Sequence, residues 1–197
     1  AVIFSRVNLP EIQHTDDKET QQGGHNISRL FKNRCFVFGL SALLAYEVAE
    51  ISINSYFINY VTGQGWMEPA TASTVLTVGL GLFMLARFIG AAVMSNVPAE
   101  KYLLICAVGT VACIAVLLLD LGRNISMAAL MMNYFFEAIM FPTIFALTLR
   151  GLGGLTKSAS SILMMTPVGG CGFLLMGYAA DHAGNFVLPF FIPLVGY

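Results

Sequence analysis

Charge is scarce in this sequence of 197 residues: 11% are Asp, Glu, Lys or Arg, where a soluble domain carries about a quarter. The shortage argues against a soluble globular protein. A basic excess is missing too, because 10 Lys and Arg stand against 11 Asp and Glu, so nothing is available to hold a phosphate backbone. Nucleic-acid binding is excluded. Cysteine is limited to Cys35, Cys106, Cys113 and Cys171, in or beside apolar runs and spaced for neither a metal site nor a disulfide scaffold. The histidines are no closer to a ligand set: His14 and His25 lie in a polar stretch and His182 follows Asp181 in a turn. Glycines such as Gly79, Gly81, Gly151, Gly153 and Gly154 form no phosphate loop after a strand, and the serines have only glutamates as possible bases. No metal, no cofactor and no enzyme chemistry are expected.

Long apolar runs fill the chain instead, for 57% of it is hydrophobic. Cutting where charges cluster leaves candidate spans at 36–61, 72–95, 102–119, 124–149, 158–180 and 186–197. A bilayer core of ~30 Å needs about 20 helical residues, since lipid offers the backbone no hydrogen-bond partners and a helix supplies its own. The first five runs meet or approach that length. The sixth is still apolar where the sequence stops, and the chain opens on Ala1-Val2-Ile3-Phe4-Ser5 without a methionine. An internal piece of a larger all-α membrane protein is expected, with 1–5 ending a preceding helix, 6–35 a polar cytoplasmic linker, and 36–197 a six-helix transmembrane domain whose last helix is truncated. Orientation follows from Lys and Arg, which concentrate on cytoplasmic loops. Arg6, Lys18, Arg29, Lys32, Arg34, Lys101, Arg150 and Lys157 share one side, Arg123 takes the other, and Arg87 lies inside a span. The 1–35 segment and the 96–101 and 150–157 loops are therefore expected in the cytoplasm, and the turns at 63–69, 120–123 and 181–185 outside.

Ionisable groups within a bilayer are costly and face a bundle interior or a wet cavity. Four are present: Glu47, Glu50, Arg87 and Glu137. The midpoint of 36–61 falls between Glu47 and Glu50, and Glu137 is central in the fourth span, so two helices bring carboxylates to one depth. At ~100° per residue Glu47, Glu50 and Asn54 share a narrow stripe, and Ser52, Ser55 and Asn59 are read as continuing that polar face. Tyr46, Tyr56 and Tyr60 flank it, suited to stacking on a sugar ring and equally to packing helix on helix. Asn133 lies one turn before Glu137, and Pro142, which has no N–H, should bend that helix just below the site. In the fifth span Pro167 and the run Gly169-Gly170-Cys171-Gly172 permit bending and close contact. Arg87 lies about two turns from the cytoplasmic end of its helix, where it could snorkel or pair at a gate. The candidate site is therefore Glu47, Glu50, Asn54, Asn59, Tyr60, Asn133 and Glu137, with Arg87, Pro142 and Pro167 as gating or bending residues.

These residues carry a resemblance over nearly the whole chain. Tyr46-Glu47-Val48-Ala49-Glu50 with Asn59-Tyr60, Ala86-Arg87-Phe88-Ile89-Gly90, Met140-Phe141-Pro142-Thr143-Ile144-Phe145, Gly151-Leu152-Gly153, Gly169-Gly170 and Ala180-Asp181-His182 are similar to the fucose/glucose–galactose:proton symporter family of the major facilitator superfamily, in its C-terminal half. The resemblance implies helices 7 to 12 of a twelve-helix carrier, a cavity lined in this half by helices 7 and 10, and a monosaccharide and a proton as cargo. It also implies a missing N-terminal six-helix half as partner, and a multi-pass place in a membrane, expected to be the plasma membrane. Glu50 falls where the family's sugar carriers tend to have Glu, and Asn59 and Tyr60 match the pattern as well. Glu47 has no expected counterpart, and Glu137 stands where Asn is common. Two other readings stay open: an exporter of amphipathic molecules on the same fold, which Met131-Met132 and Met164-Met165 permit, and a truncated, non-transporting protein that acts by helix pairing.

Overall fold

The computed structural model describes residues 27–94 and 97–197. The expected 1–5 helix end, most of the 6–35 linker and part of the 96–101 loop lie outside them. Among the described residues all regular structure is helical. A short α1 (27–32) leads through Asn33, whose side chain caps the next helix by accepting from the Cys35 N–H at 3.0 Å, into α2 (Arg34–Gly63). Then come α3 (Pro69–Val93), with its proline in the first turn, and α4 (Ala99–Leu118), which starts after Pro98.

The fourth run is divided. It is a pair, α5 (Arg123–Glu137) and α6 (Met140–Leu149), separated by Ala138 and Ile139. The fifth, taken from the sequence as one helix over 158–180, is interrupted as well: α7 (Thr156–Leu163) and α8 (Phe173–Ala183) flank a 3₁₀ stretch, Thr166–Gly172. Pro167 opens that stretch and glycines fill it, which favours tightening over a regular α-helix. Over 186–197 the chain makes a 3₁₀ turn, Leu188–Phe190, and then α9 (Phe191–Gly196). Five stretches are long and apolar enough to cross a membrane: Arg34–Gly63, Pro69–Val93, Ala99–Leu118, Arg123–Leu149 and Gly153–His182.

The bundle is apolar outside as well as inside. Val78, Met84, Leu85 and Phe88 on α3, and Leu104, Ile105 and Val108 on α4, are exposed, an arrangement that suits lipid as the solvent. Inside, two apolar clusters sit toward opposite ends of the bundle. One joins Phe36, Leu43 and Tyr46 to Cys106, Met140, Ile144, Ala159 and Leu163. The other joins Ile53, Phe57 and Tyr60 to Ile114, Leu117, Leu130, Met176 and Phe190. Every spanning element that contributes to both leaves its middle residues between them. On α2 these are Glu47 to Ser52, on the fourth span Asn133 to Glu137, and on the fifth the 3₁₀ stretch. Gly172 brings that stretch against α2, where a Cβ would lie 2.6 Å from Val48 Cγ1 and 3.1 Å from the Ser52 hydroxyl.

Candidate functional site

The site grows out of the division in the fourth span. Pro142 has no N–H to offer the Ala138 carbonyl four residues back, so that carbonyl needs another donor inside a bundle that holds little water. Arg87 of α3 supplies it, its Nε donating to the Ala138 oxygen at 3.0 Å while its guanidinium carbon sits 4.7 Å from the centre of the Phe83 ring. The preceding carbonyl, of Glu137, accepts from the Tyr46 hydroxyl at 2.9 Å. The one after, of Ile139, is taken by Thr143 through both its N–H and its hydroxyl, at 3.2 and 2.7 Å. Three successive carbonyls are thus satisfied, two of them by side chains from α2 and α3. The interruption therefore lies at Ala138 and Ile139, just below Glu137, with Pro142 in the first turn of α6.

Glu137 is completely buried. Its Oε2 accepts from Asn133 Nδ2 at 2.7 Å and from the Tyr197 hydroxyl at 2.6 Å. Its Oε1 and the Asn133 Oδ1 have no protein partner, and neither do the buried Asn54 Oδ1 and Tyr134 hydroxyl. An acceptor left in this way costs about 1–3 kcal/mol unless a donor reaches it. Glu50 is half-buried on α2, one turn after Tyr46. Glu47 is mostly covered and lies beside Gly169 of the 3₁₀ stretch. The layer thus holds three carboxyl groups, three tyrosine hydroxyls and the Asn133 amide between apolar clusters, with the Asn54 amide one turn beyond Glu50. It can bond several hydroxyls and hold a proton; among the described residues no cluster of His, Cys, Asp or Glu could hold a metal ion.

The sequence-predicted residues do not all meet. Glu47, Glu50, Asn133 and Glu137 share the layer, Asn54 stands one turn beyond Glu50 next to Ile53 of the far cluster, and Arg87 reaches the layer by the Ala138 carbonyl. Tyr60 does not: it is fully buried in the far apolar cluster, its ring against Trp66 and Phe190 at centroid distances of 5.3 and 5.0 Å. It is a packing residue, because that side of α2 turns inward. Asn59 is exposed in a cleft beside α8. Nine residues from Glu50, it stands about half a turn round the helix from it, so the polar face does not run on to it. Pro167 opens the 3₁₀ stretch packed on α2. Tyr197 was missed, since the last residue of an apolar run gives no signal. The backbone role of Tyr46 is equally invisible without Pro142 and its orphaned carbonyl.

No protein-family model matches the chain. Its shape matches a solved major facilitator superfamily transporter, FucP, in the outward conformation, with a TM-score of 0.85 and 28% identity over 99% of this chain and 48% of that one. The architecture is one half of a major facilitator superfamily transporter. A putative glucose/galactose transporter of Helicobacter pylori strain J99 is 33% identical over 86% of the chain and 40% of its own length. The L-fucose-proton symporter of Escherichia coli K12 is 29% identical over 98% of the chain and 45% of its own length. The chain therefore belongs to the major facilitator superfamily, among the relatives of these glucose/galactose and fucose transporters, and covers their C-terminal half. It spans less than half the length of the curated relatives it matches. It is an integral, multi-pass membrane chain, and these relatives are transporters.

Proposed function

We propose that this chain is the C-terminal half of a proton-coupled monosaccharide symporter of the fucose, glucose or galactose type, a carrier and not an enzyme. The observation that carries the proposal is Glu137, a fully buried carboxyl group bonded by Tyr197 and Asn133 at the level of Glu50, in a chain whose relatives include a sugar–proton symporter. Glu50 and Asn54 bond sugar hydroxyls from α2. Glu137 exchanges the proton or bonds the sugar, with Tyr197 and Asn133 holding its carboxyl group in place, and Glu47 borders the same layer. The N-terminal six-helix half completes the cavity, and the two halves rock about it in alternating access. The divided helices supply bends at Ala138–Ile139 and at Pro167. On the distribution of Lys and Arg, residues 1–35 lie in the cytoplasm. The host membrane is the plasma membrane, where a sugar–proton symporter finds both cargoes.

Uptake of labelled fucose, glucose and galactose by cells expressing the full-length protein, with and without a proton gradient, tests the reading. Glu50→Gln should lower kcat/KM by roughly 10- to 100-fold, the equivalent of one charge-assisted hydrogen bond. Uptake unchanged at low and at saturating sugar would remove Glu50 from the site.

A further inference from the structure

Beyond the midplane layer, toward the Gly63 end, α2 and α8 part to leave a cleft of about 380 Å³, within the size range of small-molecule sites. Its walls carry Ser55 and Asn59 from α2 and Tyr178 and Asp181 from α8. The side chains of Ser55, Asn59 and Asp181 make no hydrogen bond to the described residues, so their donors and acceptors are open. Tyr178 is 64% exposed and held in orientation by His182 one turn on, the ring centroids 3.9 Å apart and the His182 Nδ1 3.0 Å from the Tyr178 carbonyl. One face of the tyrosine is thereby occupied and the other presented. Between these groups is Gly177, where an added Cβ would meet no atom within 4 Å. The glycine keeps the floor of the cleft open.

We propose that this cleft is a second, outer subsite for a neutral monosaccharide, occupied before the sugar reaches the midplane; the inference rests on the symporter reading above. A carboxylate that only accepts, an amide that does both and a flat aromatic face are what a sugar ring with hydroxyls and an apolar side requires. A tyrosine alone would suit the membrane interface; with an amide and a carboxylate in one concave lining it makes a binding wall. The lining contains no Lys or Arg, so a sugar phosphate or sugar acid would find no counter-charge. Glu50 and Asn59 are separated by nine residues, about 13 Å along the helix, more than the length of a hexose ring. Both sites can therefore be filled together.

Equilibrium binding of radiolabelled D-galactose and L-fucose to the purified full-length protein in lipid nanodiscs decides the matter. The wild type should bind two sugars per molecule at saturation. Gly177→Leu, whose Cβ would meet no atom within 4 Å and whose branch would extend into the cleft, should bind one, and Asn59→Ala should weaken the outer site about tenfold. Glu50→Gln should keep the outer site and impair the inner. A fold defect in Gly177→Leu would leave Asn59→Ala as the test, since its position is exposed and its amide bonds nothing in the protein. Single-site binding that both cleft variants leave unchanged and Glu50→Gln weakens would overturn the outer subsite alone. No binding of either sugar to the wild type would overturn the symporter reading and the subsite with it.

Discussion

Arg87 and Pro142 should be energetically coupled although they stand on different helices, because both bear on the Ala138 carbonyl. Replacing Arg87 with Met keeps an apolar stem but removes the donor to that buried oxygen and the cation over Phe83. The first loss costs about 1.5–3 kcal/mol for a charge-assisted bond and the second about 0.5–1, so Arg87→Met should destabilise by roughly 2–4 kcal/mol. Pro142→Ala restores an N–H four residues after Ala138, able to take the same carbonyl if the helix closes over the interruption. In that background Arg87→Met should cost only about 0.5–1 kcal/mol, leaving a coupling of roughly 1.5–3 kcal/mol. The assay is a double-mutant cycle on thermal or denaturant unfolding of the full-length protein in one detergent. An equal cost of Arg87→Met in the wild-type and the Pro142→Ala backgrounds would refute the argument that the arginine stands in for the missing N–H.

Glu137→Gln preserves an acceptor for Tyr197 and Asn133 and should melt close to wild type, yet proton-driven sugar accumulation should be lost while sugar exchange without a gradient persists. Accumulation as in the wild type would show that Glu137 carries no proton. Gly172→Val should cost about 1–3 kcal/mol by overpacking against Val48 and Ser52, read as a lower unfolding midpoint. A melt indistinguishable from wild type would mean that the 3₁₀ stretch can withdraw from α2 at little cost.

Depth was the most legible property of this sequence, and side the least. A helix of known length puts Glu50 and Glu137 at one level whatever the neighbours are, because rise per residue is fixed. Which face a residue turns to a neighbour depends on the neighbours, and here neither Asn59 nor Tyr60 lies in the layer of Glu50 and Glu137. Tyr60 looks like a site residue by type, but α2 turns that side toward Trp66 and Phe190. Proline and glycine announced that the fourth and fifth spans would deviate from straight helices. Pro142 placed the bend of the fourth span just below Glu137, but the donors that reach the freed carbonyls were not announced. Those donors, Tyr46 and Arg87, come from helices distant in sequence.

The same donors constrain how the half can move. A divided helix survives within a bilayer only while other groups satisfy its open carbonyls. Here α2 supplies one through Tyr46 and α3 another through Arg87, so α5 and α6 cannot shift against those helices without stranding two buried acceptors. At about 1–3 kcal/mol each, that loss is comparable to the few kcal/mol that separate alternative states of a protein. In the proposed carrier, alternating access achieved by straightening the fourth span would incur it at every cycle. Rocking of the whole half against its partner would not, since Tyr46, Arg87 and the divided helix travel together. On the carrier reading proposed above, the carbonyl bonds thus favour motion at the interface with the N-terminal half over motion of the fourth span, and they place the flexible element elsewhere. The 3₁₀ stretch at Thr166–Gly172 is the candidate: among the described residues no hydrogen bond joins it to α2, which it meets at Val48, Ile51, the Glu47 stem and the Ser52 hydroxyl, so sliding there breaks none.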